Sequence, residues 1–159
     1  MKTQHPLLLI VITLLWAGLV TAGRFPSDVP AAVPPAEETG EAPLQWPLDG
    51  EFLQGFHGWH RGIDIGAPYG TPVGAAAEGW VAEVAYEAGY GNYVFVVHYN
   101  GIGTLYSHLA APGVEYGQWL NPGDLIGWVG ATGWATTTHV HFEVFVDGVG
   151  KTDPLTYLP

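Results

Sequence analysis

The sequence predicts a mainly β domain in which short strands are joined by tight turns. Glycine and proline, which are typical of turns, account for 23 and 13 of the 159 residues. Short apolar runs follow one another downstream of residue 44, and none continues at helical i, i+3, i+4 spacing without a glycine. We therefore expect one compact antiparallel β structure, folded back on itself, over residues 44–159.

The first 43 residues differ in composition from this domain. Lys2 precedes an uncharged apolar run from 6 to 20, which predicts a signal peptide or membrane anchor over residues 1–23. Residues 24–43 are rich in Pro, Ala and Glu, so we expect an extended, disordered linker there. The domain is thus predicted to act outside the cytoplasm, either secreted or anchored to a membrane through residues 6–23.

Within the domain, β-branched and aromatic runs alternate with turn signals. The strand candidates are 79–84, 93–98, 104–108, 125–129 and 138–146. The turn candidates between and after them are Asn-Gly at 100–101, Pro-Gly at 112–113, Asn-Pro-Gly at 121–123 and Asp-Gly at 147–148. The order of these signals predicts successive antiparallel strands, with no internal repeat.

Charge and cysteine content exclude several functions. The formal net charge is −11, and Arg61 and Lys151 are the only basic residues within 44–159. Binding to a phosphate backbone requires clustered Lys and Arg, so we expect no nucleic-acid partner. The chain has no cysteine, which excludes disulfides, thiolate metal ligands and a cysteine nucleophile. Any metal must therefore be held by nitrogen and oxygen.

The segment 138–146 carries the strongest chemical signal. Every second residue is apolar, as in a strand with one buried face: Val140, Phe142, Val144 and Val146. The opposite face then carries His139, His141 and Glu143. Two imidazoles that are two residues apart on a strand project from one surface, so both can reach a single ion, or the ion and its substrate.

A second pair of possible ligands lies upstream, in His60-Arg-Gly-Ile-Asp64. Gly62 argues against a helical i, i+4 pair, and the isoleucine on either side of Asp64 predicts a strand with this carboxylate turned away from the core. Hydrolytic zinc sites typically use three protein ligands and leave a fourth position open. We predict that His60, Asp64 and His141 hold one Zn²⁺.

Two further histidines remain for proton transfer. Histidine titrates in the useful range for proton transfer, so His139 and His108 remain as the candidates for a general base and for a residue that stabilises or reprotonates the intermediate. Tyr106 shares a face with His108 in the predicted strand 104–108, so its hydroxyl is expected near the oxyanion, at the edge of a substrate groove. His57 and His98 lack such partners in the sequence, and we expect structural roles for both.

Taken together, these motifs resemble the lysostaphin and LytM-like zinc metallopeptidases of peptidase family M23. The resemblance covers roughly residues 46–159 and rests on segments 60–73, 101–109, 127–133 and 139–143. It implies a two-sheet antiparallel β fold of the LytM-like, duplicated-hybrid-motif type. The substrates that it implies are peptide crosslinks of bacterial peptidoglycan. It also implies that His60, Asp64 and His141 bind Zn²⁺, with His108 and His139 as the catalytic histidines. One departure is the stretch 134–138, where family members often carry Ser-Thr-Gly-Pro.

These observations predict an exported zinc metalloendopeptidase that hydrolyses peptide crosslinks of peptidoglycan at the outer face of the bacterial cytoplasmic membrane or beyond it. Trp59 and Trp134 flank the metal motifs and are the candidate walls of the substrate groove, although aromatic residues in small β domains more often belong to the core. The alternative is a non-catalytic wall-binding or amidase-activating regulator that keeps a structural metal. A carbohydrate-binding β domain would explain the aromatic residues but not the five ordered ligand-type residues.

Overall fold

The structure is a computed structural model that describes residues 44–159. The leader predicted over 1–23 and the linker predicted over 24–43 lie outside the described residues. Within 44–159, two short 3-10 helices, Tyr99–Gly101 and Pro154–Thr156, are the only helical segments. None of the helices in this range has the length and apolar character needed to cross a membrane.

Ten strands make up the rest of the regular structure, and every pair of neighbouring strands is antiparallel. They are β1 (Glu51–Gln54), β2 (Ile63–Gly66), β3 (Pro72–Gly74), β4 (Gly79–Glu87), β5 (Gly91–Val97), β6 (Ile102–Pro112), β7 (Trp119–Leu120), β8 (Leu125–Val129), β9 (His139–Val146) and β10 (Gly150–Thr152). The predicted antiparallel β class is confirmed. All five strand candidates occur, as does the strand predicted around Asp64, which is β2. The four strands that were missed have only two to four residues, too few for an alternating pattern to be recognised.

Seven strands form a continuous path in the order β1-β2-β9-β6-β5-β4-β7, with β10 paired to β9 and the β3–β8 pair attached to β6. The long strand β6 changes partner along its length. Residues 102–107 pair with β9, whereas residues 109–112 pair with β8. The same strand therefore links the main path to the β3–β8 branch, and the change of partner falls at His108.

The main core lies between the branch and one face of the central strands. It contains Val73 of β3, Ile126 of β8, and Val140 and Phe142 of β9, all 0% exposed. A smaller cluster covers the opposite face of the sheet and includes Phe145. Seven of the eight residues of β9 are buried, so this strand is covered on both faces and its position is well determined by packing.

Gly91 is a position at which the fold requires glycine. Its φ is +67°, a left-handed conformation that costs a residue with a Cβ about 1–2 kcal/mol. A Cβ there would also overlap Thr132, in the loop between β8 and β9. Gly148 has a similar φ of +73° but no atom within 4 Å of the corresponding Cβ position.

We predict that Gly148→Ala lowers the free energy of unfolding by about 1–2 kcal/mol, because it introduces only the backbone penalty. Gly91→Ala should cost more than about 3 kcal/mol, since the displaced loop adds to that penalty. Urea denaturation of both variants measures the difference. Equal costs for the two substitutions would contradict the close approach of the loop to Gly91.

Candidate metal centre

The pairing of β2 with β9 brings the predicted ligands together. In this register Asp64 lies directly opposite His141. Oδ1 of Asp64 is 2.7 Å from Nδ1 of His141 and 3.0 Å from Nε2 of His60. The three ligand atoms lie within 4.8 Å of one another, on residues that are buried or nearly so. Two imidazole nitrogens and one carboxylate oxygen, with no sulfur, form a donor set that fits a divalent ion such as zinc.

The orientation of three histidine rings is determined by backbone carbonyl groups. In each case Nδ1 donates to a carbonyl oxygen, so Nε2 is the nitrogen that remains available to the site. The pairs are His60 with Gly55 (2.8 Å), His108 with Thr132 (2.8 Å) and His139 with Thr137 (2.9 Å). His60, His108 and His139 thus present the same ring nitrogen to a common cleft.

His141 is oriented in the opposite sense. Its Nδ1 is turned to Asp64, and its Nε2 donates to Oε1 of Glu143 at 3.0 Å. The adjacent backbone at Gly62 leaves room for the ring, because a Cβ at Gly62 would lie 2.8 Å from Cε1 of His141 and 2.5 Å from the carbonyl oxygen of Phe142. The glycine in His60-Arg-Gly-Ile-Asp64 is therefore required for the approach of β2 to β9.

A bulge in β6 determines where His108 points. Between the pairs Asn92–Leu109 and Val94–Tyr106, two residues of β6 lie opposite one residue of β5. His108 has a φ of +60°, the only positive value among the described non-glycine residues. Since one extra residue reverses the alternation of side chains, His108 and Tyr106 lie on opposite faces of the strand.

Tyr106 is therefore not part of the groove, contrary to the sequence prediction. It is 0% exposed within the main core. Its hydroxyl accepts hydrogen bonds from the backbone nitrogen of Ala76 at 2.8 Å and from the hydroxyl of Thr104 at 2.9 Å. The prediction failed because it assumed uninterrupted alternation from Thr104 to His108.

Thr132 connects the loop between β8 and β9 to the bulge. Its hydroxyl donates to the carbonyl of Leu109 at 2.8 Å and accepts from the backbone nitrogen of Asn92 at 3.0 Å. Its own carbonyl accepts from Nδ1 of His108. One residue thus ties the position of the His108 ring to the strands on both sides of the bulge.

Burial and neighbouring charges shift the pKa values of the site in different directions. Burial alone would raise the pKa of Asp64, but hydrogen bonding to His141 and the neighbouring imidazoles lower it overall. Burial would lower the pKa of His141, but hydrogen bonds to Asp64 and Glu143 outweigh burial and raise it to about 9. Burial lowers the pKa of His108, which favours a neutral imidazole there at neutral pH.

Two highly exposed tryptophans line the same cleft as the histidines. Trp59 is 82% exposed and Trp134 is 81% exposed. Such large apolar side chains in solvent are typical of binding surfaces. No lysine or arginine is among the described residues that line this cleft, whereas Glu87 and Asp64 are. An anionic ligand would therefore meet no lysine or arginine side chain among the described residues of this cleft.

The structural roles expected for the two other histidines agree with their contacts. His98 is buried, with Nδ1 near the carbonyl of Glu78 and Nε2 near the hydroxyl of Thr104, and burial lowers its pKa to about 4. His57 forms a backbone bridge with His60 and an edge-to-face contact with the ring of Trp59. Neither residue is among those that line the cleft.

Of three further residues around the site, the sequence indicated one in part and the other two not at all. Glu143 was visible on the histidine face of β9 by alternation alone, although its contact with His141 was not. Thr132 and Asn92 carried no signal, because their contacts depend on how the loop packs against the bulge.

Comparisons with known proteins agree with this geometry. The family model described as Peptidase family M23 matches residues 58–154. The DD-carboxypeptidase/endopeptidase Mpg of Neisseria meningitidis is 45% identical over 94 residues, which cover 58% of this chain and 22% of Mpg. The chain thus spans about a fifth of the length of this relative.

Two solved structures are similar in fold as well as in sequence. A zinc-containing peptidase from Vibrio cholerae superposes with a TM-score of 0.66 at 31% identity, covering 71% of this chain and 39% of that one. The catalytic domain of the antimicrobial peptidase lysostaphin from Staphylococcus simulans superposes with a TM-score of 0.60 at 32% identity, covering 68% and 86%. Both likenesses extend over most of the described domain.

The position of Tyr106 leads to a test of the corrected assignment. We predict that Tyr106→Phe lowers the free energy of unfolding by about 1–3 kcal/mol, because the buried nitrogen of Ala76 loses its acceptor. Metal content and any peptidase activity should stay at the wild-type level, because Tyr106 does not line the cleft. A large fall in kcat with unchanged stability would instead support the role near the oxyanion that the sequence predicted for Tyr106.

Proposed function

Because the chain belongs to peptidase family M23, we propose that it is a zinc metalloendopeptidase that hydrolyses peptide crosslinks of bacterial peptidoglycan. The observation that carries the proposal is the meeting of His60, Asp64 and His141 with the two further imidazoles of His108 and His139 in one cleft. Two relatives support the substrate class, since Mpg is named a DD-carboxypeptidase/endopeptidase and ShyC of Vibrio cholerae a peptidoglycan DD-endopeptidase.

The metal would be held by His60 through Nε2, by His141 through Nδ1 and by Asp64 through a carboxylate oxygen. When bound, Zn²⁺ supplies Lewis-acid polarisation of a carbonyl and lowers the pKa of a bound water. The acceptor oxygens of Gly55 and Glu143 support this assignment, because they keep a hydrogen on the ring nitrogen of each histidine that faces away from the ion.

His139 is the proposed general base. Its Nδ1 donates to the carbonyl of Thr137, so Nε2 is free to accept a proton from water and later to pass it to the leaving amine. That Nε2 lies 3.8 Å from Oδ1 of Asp64, next to the proposed ligands. The arrangement supports proton transfer beside the metal rather than binding of the metal.

His108 is proposed to stabilise the oxyanion that develops on the scissile carbonyl. The carbonyl of Thr132 holds Nδ1–H, so the ring turns Nε2 toward the cleft. Because Nδ1–H is already donated to Thr132, donation from Nε2 to the oxyanion requires the protonated ring. Burial lowers the pKa of His108, and the negative charge that develops on the oxyanion would favour the protonated ring against it.

We place this activity outside the cytoplasm, with the domain secreted or anchored through residues 6–23. The apolar run at 6–20 and the Pro, Ala and Glu-rich stretch at 24–43 support a leader followed by a tether. The relatives named as acting on peptidoglycan support the same location.

The test is mass spectrometry of fragments released from defined peptidoglycans, together with zinc analysis of the protein. The wild-type chain should release fragments produced by peptide-bond cleavage. Addition of a chelator should abolish this activity, because the metal is required. Full zinc content without fragment release would instead support a regulator with a structural metal. Residues 44–159 and the full chain should give the same cleavage products.

Alanine variants of the histidines extend this test. His141→Ala should lose both zinc and hydrolysis, because it removes one of three ligands. His108→Ala should keep its zinc and lose about 10²–10⁴-fold in kcat, as expected for a group that acts only on the transition state. His57→Ala is the matched control, with little change in either quantity. Full zinc occupancy in His141→Ala would refute the ligand assignment.

The exposed tryptophans are proposed as the walls of the substrate groove. Trp59→Ala combined with Trp134→Ala should raise KM for a muropeptide by about tenfold, since an aromatic contact contributes about 0.5–1.5 kcal/mol. Zinc content should not change, because neither residue touches the ligands through a hydrogen bond. Tyr69→Ala, at a residue that is 68% exposed but does not line the cleft, is the control. Unchanged kinetics in the double variant would reject the groove.

A further inference from the structure

Glu143 lies two residues beyond His141, on the same face of β9, and is 2% exposed. A carboxylate with so little access to water requires compensating charges or hydrogen bonds. All the hydrogen bonds that the described residues make to this carboxylate go to one of its oxygens. Oε1 accepts from Nε2 of His141 at 3.0 Å, from the hydroxyl of Tyr90 at 3.0 Å and from Nζ of Lys151 at 2.9 Å.

Lys151 reaches this position from β10, which pairs with β9 so that Lys151 lies opposite Phe145. Its ammonium group stacks over the rings of Tyr90, at 5.2 Å, and Phe145, at 5.5 Å. It is one of only two basic residues within 44–159. Among the described residues, the lysine that contacts Glu143 therefore comes from a strand that contributes no proposed ligand to the metal centre.

The other oxygen of Glu143, Oε2, is buried and has no hydrogen-bond partner among the described residues. A buried acceptor without a partner costs about 1–3 kcal/mol. A leucine of similar size would avoid this cost and would remove the need for a buried cation. Packing alone thus does not account for a glutamate at this position, and its contact with His141 does.

We propose that Glu143, held in place by Lys151 and Tyr90, is a positioning residue that orients the His141 ring for metal binding. The proposal rests on the proposed function, because it supposes that His141 is a ligand. The contact with Glu143 keeps a hydrogen on Nε2 of His141 and so leaves the lone pair of Nδ1 for the ion that His141 would share with Asp64. Lys151 compensates the charge that this contact requires.

The experiment measures zinc affinity by competition with a chromophoric chelator, and the melting temperature of the metal-free protein. Glu143→Leu should weaken zinc binding by about 10–100-fold, because the ring loses the acceptor that orients it. Glu143→Gln keeps an acceptor oxygen and should bind zinc within a few-fold of the wild type. Glu83→Leu removes a carboxylate that contacts Tyr93 rather than a histidine, and should leave zinc affinity unchanged.

A double variant separates positioning from packing. Adding Lys151→Met to Glu143→Leu removes the cation that has lost its carboxylate, so the melting temperature should return toward that of the wild type. Zinc affinity should stay as low as in Glu143→Leu alone. Recovery of both quantities, or wild-type zinc affinity in Glu143→Leu, would overturn the proposal.

These measurements also distinguish failure of this proposal from failure of the proposed function. A wild-type protein that binds no zinc would refute the metallopeptidase assignment itself. Zinc binding and hydrolysis by the wild type, with unchanged zinc affinity in Glu143→Leu, would refute only the role of Glu143.

Discussion

The register between β2 and β9 is the constraint on which the site depends. It places Asp64 opposite His141, and the core maintains it through Ile63 and Ile65, which are 0% and 1% exposed. A slip of one residue would turn Asp64 into the core and bring an isoleucine to the site. Because such a slip would bury a charge and expose apolar side chains, the free energy that stabilises the core also maintains the ligand geometry.

The second constraint is the bulge at His108, where β6 exchanges β9 for β8 as its partner. A non-glycine residue in a left-handed conformation carries strain of about 1–3 kcal/mol and persists only where its surroundings determine it. Here the hydrogen bonds of Thr132 to both sides of the bulge supply that support. The change of partner along β6 therefore places the His108 imidazole on the face on which β9 carries its histidines.

Alternation was sufficient to predict the parts of the site that lie on regular strands. It assigned His139 and His141 to one face of β9 and turned Asp64 away from the core, since each follows directly from a period of two. It failed at Tyr106, because one extra residue in β6 reverses every assignment beyond it. It could not find Thr132, whose hydrogen bonds depend on the packing of a loop against strands distant in the sequence.

The two histidines of β9 show how identical side chains on one face can acquire different chemistry. The ring of His139 is anchored by a neutral carbonyl, that of Thr137, and keeps one nitrogen without a charged partner within hydrogen-bonding distance. The ring of His141 lies between the carboxylates of Asp64 and Glu143, at 2.7 and 3.0 Å. Paired carboxylates favour a cation, whether a proton or a metal, at the ring between them. Since only His141 of these two has such an environment, the proposed difference between ligand and base would arise from the neighbours of each ring rather than from its place on the strand.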